Sequence, residues 1–252
     1  YNTEWSTELT LDEAWAEYAK GWILLHLLEA LFDLKVGGSS RSFIFNMSVG
    51  YDMKGITSEP MQQYIGRLKD SSEEPRFRRW VAEARAAAAL LESTPLESKA
   101  EALRSLEVPG EICRTVTLST MHGCPPDEIE EICARMLTVE DLDTYVKLNP
   151  TLLGLEEVRS ILDGLGYDYI SLDPASFEHD LEYGTAIEIL TRLRTLSAEQ
   201  GKRFGVKLSN TLPTINNRDA LPGNEMFMSG RALYPLTINL AAKLSREFDG
   251  TL

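Results

Sequence analysis

Residues 115–150 read TVTLSTMHGCPPDEIEEICARMLTVEDLDTYVKLNP, and this stretch decides the fold. Thr115–Ser119 has the β-branched composition of a strand. A short loop carrying His122, Gly123 and Cys124 follows, and Pro125–Pro126 then open a helix whose first turn is acidic. Ile129, Ile132, Cys133 and Met136 share one face of that helix, and a second strand ends in Lys147 and Asn149. Strand, reactive side chain just past its C-terminal end, helix and strand form the repeating unit of a parallel α/β barrel. In that fold the loops after the strands carry the chemistry.

The same rhythm continues downstream. Leu155, Val158, Ile161, Leu162 and Leu165 line a helix stopped by Gly166, and Tyr169–Leu172 (YISL) reads as a short strand. Ala186, Leu190, Leu193 and Leu196 mark a further helix closed by Gly201, and Phe204–Ser209 is the next strand. Pro213–Glu225 reads as a polar loop, after which Tyr234-Pro235 starts a last helix with Leu240, Ala241, Leu244 and Phe248 on its apolar side.

Upstream, Thr10-Leu11-Asp12-Glu13 has capping-box form. Leu11, Trp15, Tyr18, Trp22 and Leu25 carry a helix to about Leu34, which Gly37-Gly38 end. The apolar run Ile23–Leu31 is short and interrupted by His26 and Glu29, so it reads as buried helix. Phe43–Ser48 is a strand, and about 57–112 is a helical insertion with a solvated charged face. Five strands without a hairpin signal predict a parallel sheet: a TIM-type (β/α)₈ barrel, present only in part, forming one domain. The chain opens at Tyr1 and closes at Asp249-Gly250-Thr251-Leu252, where the rhythm calls for another strand, so a fragment of a larger multidomain protein is expected.

Composition narrows the function. The chain has 252 residues, 43% hydrophobic, enough for a sizeable core, and a net charge of −14 that argues against nucleic acid. It has no bilayer-spanning run, no leader peptide and no basic patch for lipid headgroups, so no membrane partner is expected. Cys113, Cys124 and Cys133 have neither disulfide nor zinc spacing. A reducing, cytoplasmic setting and no metal site follow as expectations.

One face of each strand is polar, although a fully buried parallel strand is apolar on both. The polar sets are Asn46 and Ser48; Thr115, Thr117 and Ser119; Lys147 and Asn149; Tyr169, Ser171 and Asp173; Lys207, Ser209 and Thr211. A barrel that turns these faces inward around a polar ligand explains them. An open doubly wound sheet whose strands merely end in polar residues is the alternative. Two lysines at strand ends also suit Schiff-base chemistry on a carbonyl substrate.

In order, these motifs resemble the flavin barrel of the dihydroorotate and dihydropyrimidine dehydrogenases. The pieces are the Cys124 loop in HGCPPDEIEEIC, VKLNP, KLSNT and the Ser229–Pro235 segment SGRALYP. Over nearly the whole chain the closest resemblance is to the YgfK-type selenate reductase family, through FIFNMSVGYD, STMHGCPPDEIE, VKLNPTLLG, GVKLSNTLPTINN and MSGRALYPLTINLAAKLS.

That resemblance implies an oxidoreductase with FMN in the barrel, and FAD, NAD(P)H and 4Fe-4S clusters on other segments or subunits. The substrate would be an electron-poor small molecule, selenate or a heterocycle. It implies Cys124 as proton donor assisted by His122. Lys147 would meet the flavin's pyrimidine edge, Asn46, Asn149, Asn210 and Thr211 its carbonyl and imide groups, and Ser229 and Gly230 would lie on the cofactor side. Lys207, with Ser209, would line the substrate side or pair with Asp173. VKLNPT and VKLSNT are alike, and the reading has one strand more than the family pattern, so the order of the two lysines stays open. A Schiff-base lyase and a non-catalytic barrel that scaffolds redox modules are the other readings. Each site residue also has a plain reading: Cys124 as a core thiol, His122 as a loop hydrogen-bonder, and Cys113 and Cys133 as core.

Overall fold

A computed structural model of the chain describes residues 9–32, 34, 43–50, 52–119, 124–219 and 222–252. In chain order, α1 (Leu11–Phe32), β1 (Phe45–Val49), α2 (Met53–Ile56), α3 (Glu59–Lys69), α4 (Pro75–Ala86) and α5 (Ala100–Arg104) precede β2 (Cys113–Ser119). Next come α6 (Pro126–Thr138), β3 (Asp143–Leu148), α7 (Leu155–Gly164), α8 (Pro174–His179), α9 (Tyr183–Glu199) and β4 (Phe204–Leu208). Then follow β5 (Leu212–Ile215), β6 (Glu225–Met228) and α10 (Tyr234–Glu247). The chain forms two compact units, 1–47 with 54–115 and 48–53 with 116–252, the division passing through β1 and β2.

The first unit is helical. Its α1 begins at the expected capping box: Glu13 N donates to Thr10 Oγ1 at 3.3 Å, and Thr10 N to Glu13 Oε2 at 2.7 Å. The aromatic face of α1 is buried, with Trp15 and Trp22 at 0% and 1% exposure, and each indole N–H finds an acceptor, Ser71 Oγ and Pro109 O. His26 packs edge-on against Trp22 and Phe43. Ile23 and Leu31 are buried, but Leu24 between them is not, so the apolar run is only partly covered. The chain returns to β2 past Gly110, where a Cβ would meet Ser72 N at 2.5 Å; only glycine fits there.

The second unit holds most of a four-stranded parallel sheet in the order β1-β2-β3-β4. Burial alternates along β3: Thr144, Val146 and Leu148 are covered, while Asp143, Tyr145 and Lys147 are half-buried. β3 and β4 are in register, Tyr145 beside Gly205 and Lys147 beside Lys207. Tyr145 lies so close over Gly205 that a Cβ would meet its ring at 3.0 Å. Outside the sheet, α6 and α9 are tied by the two-pronged Arg192–Glu130 pair, at 2.7 and 2.8 Å. Next to the Arg192 guanidinium, the Glu130 carboxyl stays below its usual range.

Three expectations are corrected. Tyr169–Leu172 is not a strand, and the parallel strands number four among the described residues. The carbonyls of Tyr167 and Ile170 accept from the Arg159 guanidinium, and Ile170 N turns back to Tyr167 O. These carbonyls turn to Arg159 rather than to a neighbouring parallel strand, and Tyr169 is 50% exposed. VKL and VKL therefore stand on neighbouring strands, with no strand between them.

The segment read as a polar loop, Pro213–Glu225, forms part of an antiparallel ribbon of β5 and β6. Pro213 hid it. A proline cannot donate to a ladder, yet it fits a two-stranded ribbon where its nitrogen faces away from the partner. The first helix ends at Phe32 and the first strand is Phe45–Val49, small shifts from the sequence reading. Gly37, Gly38 and His122 lie outside the described residues.

Candidate functional site at the C-terminal ends of the strands

The ends of β2, β3 and β4 in the second unit gather most of the expected site residues. Lys147 and Lys207 are partners across adjacent parallel strands, so both side chains leave the same face, on strands about 4.8 Å apart. Lys147 is half-buried and Lys207 exposed. Two residues further on, Asn149 is 9% exposed and donates through Nδ2 to Asp180 Oδ2 at 3.1 Å. Asn210 N donates to Leu148 O at 2.8 Å, carrying the pairing past β4. Ser209 Oγ shares a hydrogen bond with Thr237 Oγ1 of α10 at 2.9 Å, and Thr211 follows, half-buried.

At the end of β2, Ser119 is 4% exposed and its Oγ has no hydrogen-bond partner among the described residues. Cys124, half-buried, lies just before α6. Its Sγ is 4.0 Å from Glu128 Oε2, while Oε1 of the same carboxylate accepts Met53 N at 3.0 Å. The thiol thus points its proton toward an anion one helical turn on. Sequence reasoning read Glu128 only as part of an acidic helix start, though the i, i+4 spacing from Cys124 was there to find. Burial pushes the Cys113 thiol up to about 12 and Cys133 higher still, and both lie in the core as expected.

The other expected residues lie elsewhere. Asp173 caps α8: its Oδ1 accepts Ala175 N at 3.1 Å and its Oδ2 accepts Ser176 Oγ at 3.4 Å. It serves the helix rather than Lys207. His179 Nδ1 bonds its own helix, at Ala175 O. Ser229 and Gly230 are exposed and lead through a 3₁₀ turn into α10. Asn46 belongs to the first unit, where its Nδ2 bonds Met47 O. An open depression of about 410 Å³ lies beside the strand ends, lined by Asp173, Ser176, His179, Asp180, Glu225 and Phe227.

Parallel strands with polar C-terminal ends, joined through helices, are the parts of an α/β barrel. The profile of the oxidoreductase YgfK N-terminal TIM-barrel domain covers residues 1–252. The chain belongs to that family. Two Escherichia coli proteins, from strain K12 and from O157:H7, carry YgfK as a provisional oxidoreductase name. Each is 54% identical to this chain over 257 residues. All of the chain is covered in those alignments, but it spans about a quarter of their length, 25%. No solved structure matches it significantly. The family is described as the N-terminal TIM-barrel domain of the oxidoreductase YgfK, and the fold of this chain is a TIM-barrel unit. No described helix is long and apolar enough to cross a membrane, and the described residues hold no metal-binding group of acids, histidines and cysteines.

Proposed function

We propose that this domain is the flavin-bearing barrel of a larger YgfK-type oxidoreductase. Electrons would come from NAD(P)H through FAD and 4Fe-4S centres elsewhere in the longer protein, and pass here to an electron-poor small molecule, an oxyanion such as selenate or a heterocycle. The pairing of Lys147 with Lys207 carries this reading. Two lysines leaving the same face of neighbouring strands favour an anionic ligand on that face.

The donor set fits FMN. Its pyrimidine ring offers carbonyl acceptors and one N–H, and it becomes anionic on reduction. Opposite stand two lysines, the amides of Asn149 and Asn210, the Thr211 hydroxyl and the orphaned Ser119 hydroxyl. Bound there, the flavin supplies hydride chemistry. Lys147 holds the anionic edge, and Ser229 and Gly230 border the cofactor at the start of α10. Lys207 and Ser209 face the substrate, and Asp173 borders it through the depression. Cys124 gives its proton to the substrate atom next to the one reduced, His122 and solvent restoring it, while Glu128 aims the S–H.

The absorption spectrum of the purified full-length protein tests this. The near-ultraviolet and blue bands of an oxidised flavin, released as FMN on denaturation, are expected; their absence would overturn the reading. The same lysine pair favours one other reading, a Schiff-base lyase. Borohydride trapping of a carbonyl ligand on Lys147 or Lys207 in a colourless protein would establish it.

A further inference from the structure

The β5–β6 ribbon borders different surroundings on its two faces. Side chains alternate along it, and Pro213, Glu225 and Phe227 line the acidic depression beside the strand ends. Thr214, Met226 and Met228 share the other face and line a separate pocket of about 250 Å³, whose walls Tyr169, Ile170 and Arg218 complete. The segment that does not become a strand therefore has a place of its own. Arg159 holds its carbonyls, and the ribbon is tied to it through Ser171: Ile215 N donates to Ser171 O at 2.9 Å, and Asn217 Nδ2 to Ser171 Oγ at 2.7 Å. Walls joined in this way make a pre-formed pocket.

Its chemistry is simple. The Thr214 hydroxyl is engaged, donating to Met226 O at 3.0 Å, and the Ser171 hydroxyl already accepts from Asn217. Among the described residues that line the pocket, Arg218 carries the one charge. Its guanidinium lies over the Tyr169 ring, 4.8 Å from the centre, and no acid pairs with it among the described residues. Contact through the flat face of a guanidinium leaves its in-plane N–H donors for an anion. The rest of the wall is mostly apolar, and the thioethers of Met226 and Met228 adapt well to an aromatic ring. An apolar cavity of about 150 Å³ can hold benzene, so about 250 Å³ suits one ring with a carboxylate.

We infer that this pocket binds a small aromatic carboxylate, its ring against Tyr169 and the two methionines and its carboxylate on Arg218. The site is separate from the strand ends and goes beyond the flavin reading.

The test titrates full-length protein with benzoate and with its neutral isostere benzamide, followed by ligand NMR. Benzoate should bind at about 1 mM or tighter, within reach of a ligand of its size, and benzamide about ten-fold more weakly. Arg218→Gln should weaken benzoate about ten-fold, the loss of a charged hydrogen-bond partner, and leave benzamide within about two-fold. Ala232→Trp, at an exposed position of the pocket wall, should fill the space and remove binding of both. Should the tryptophan variant fail to fold, Tyr169→Ala removes the aromatic wall and should weaken both ligands. No benzoate binding by the wild type, or undiminished benzoate binding by Arg218→Gln or by the wall variant, overturns the inference. The expected pattern in a protein without flavin would support the inference while the flavin reading fails.

Discussion

The two ends of the β3–β4 pair have opposite electrostatics. At the N-terminal end, Arg203 donates through its backbone N and its Nε to Asp143, both at 2.8 Å, and Thr144 N returns to Arg203 O at 3.0 Å. Opposite charges there close the pair and hold its register. Four residues later the same register sets Lys147 beside Lys207, like beside like. The first end pairs opposite charges; the second sets two like charges side by side. In barrels of this kind the N-terminal ends of the strands serve stability and the C-terminal ends serve chemistry, and here the contrast can be read in the charges of a single strand pair.

The largest test of that contrast lies at the chemical end. In the full-length protein, Cys124→Ser should lower substrate reduction by about 10²–10⁴-fold, the usual loss of a general acid. It should leave the thermal midpoint and the flavin content unchanged; unchanged turnover would return Cys124 to a packing role. Next in size is Gly205→Ala, which drives a methyl into the Tyr145 ring. Overpacking of this kind costs about 1–3 kcal/mol, read as a shifted denaturation midpoint. Preserved stability would mean that Tyr145 moves aside freely.

The charged residues sharpen the comparison directly. Lys147→Ala should weaken FMN about ten-fold, about 1.4 kcal/mol, and lower its reduction potential. Lys207→Ala should mainly raise KM. The opposite pattern in flavin titrations would exchange the two lysines' roles. At the other end, Asp143→Ala should cost about 1 kcal/mol of stability, as for a two-pronged but partly exposed pair, and leave flavin affinity alone.

The smallest effect concerns acid. Arg192 depresses the Glu130 carboxyl, so its stabilising contribution is present above the unfolded value of about pH 4.3 and disappears as pH falls through the lower folded value. Glu130→Gln should therefore lower the thermal midpoint slightly near neutrality and not at all near about pH 2. A difference that persists in acid would point to packing rather than charge.

Much of this was legible because it is local. The capping box at Thr10, the helix face that takes Cys133 into the core, and the alternation that leaves Lys147 half-buried between Val146 and Leu148 depend on spacings of two to four residues. The resemblance of VKLNP and GVKLSNT was visible as well, and with it the family. What failed was each place where a distant group decides. YISL has strand composition, but Arg159 takes its neighbouring carbonyls. Pro213 looks like a loop residue until Phe227 lies across from it.

By itself, then, the sequence determined most of the helices, the four parallel strands and the membership of a TIM-barrel family, since propensity and periodicity act over a few residues. Only the tertiary structure decided that Lys147 stands beside Lys207, that Cys124 points at Glu128, and that Asp180 grips Asn149 from 31 positions away. Register and buried polar networks are chosen by which distant partners close around them, and a carboxylate such as Asp180 carries no local mark of the amide it will meet.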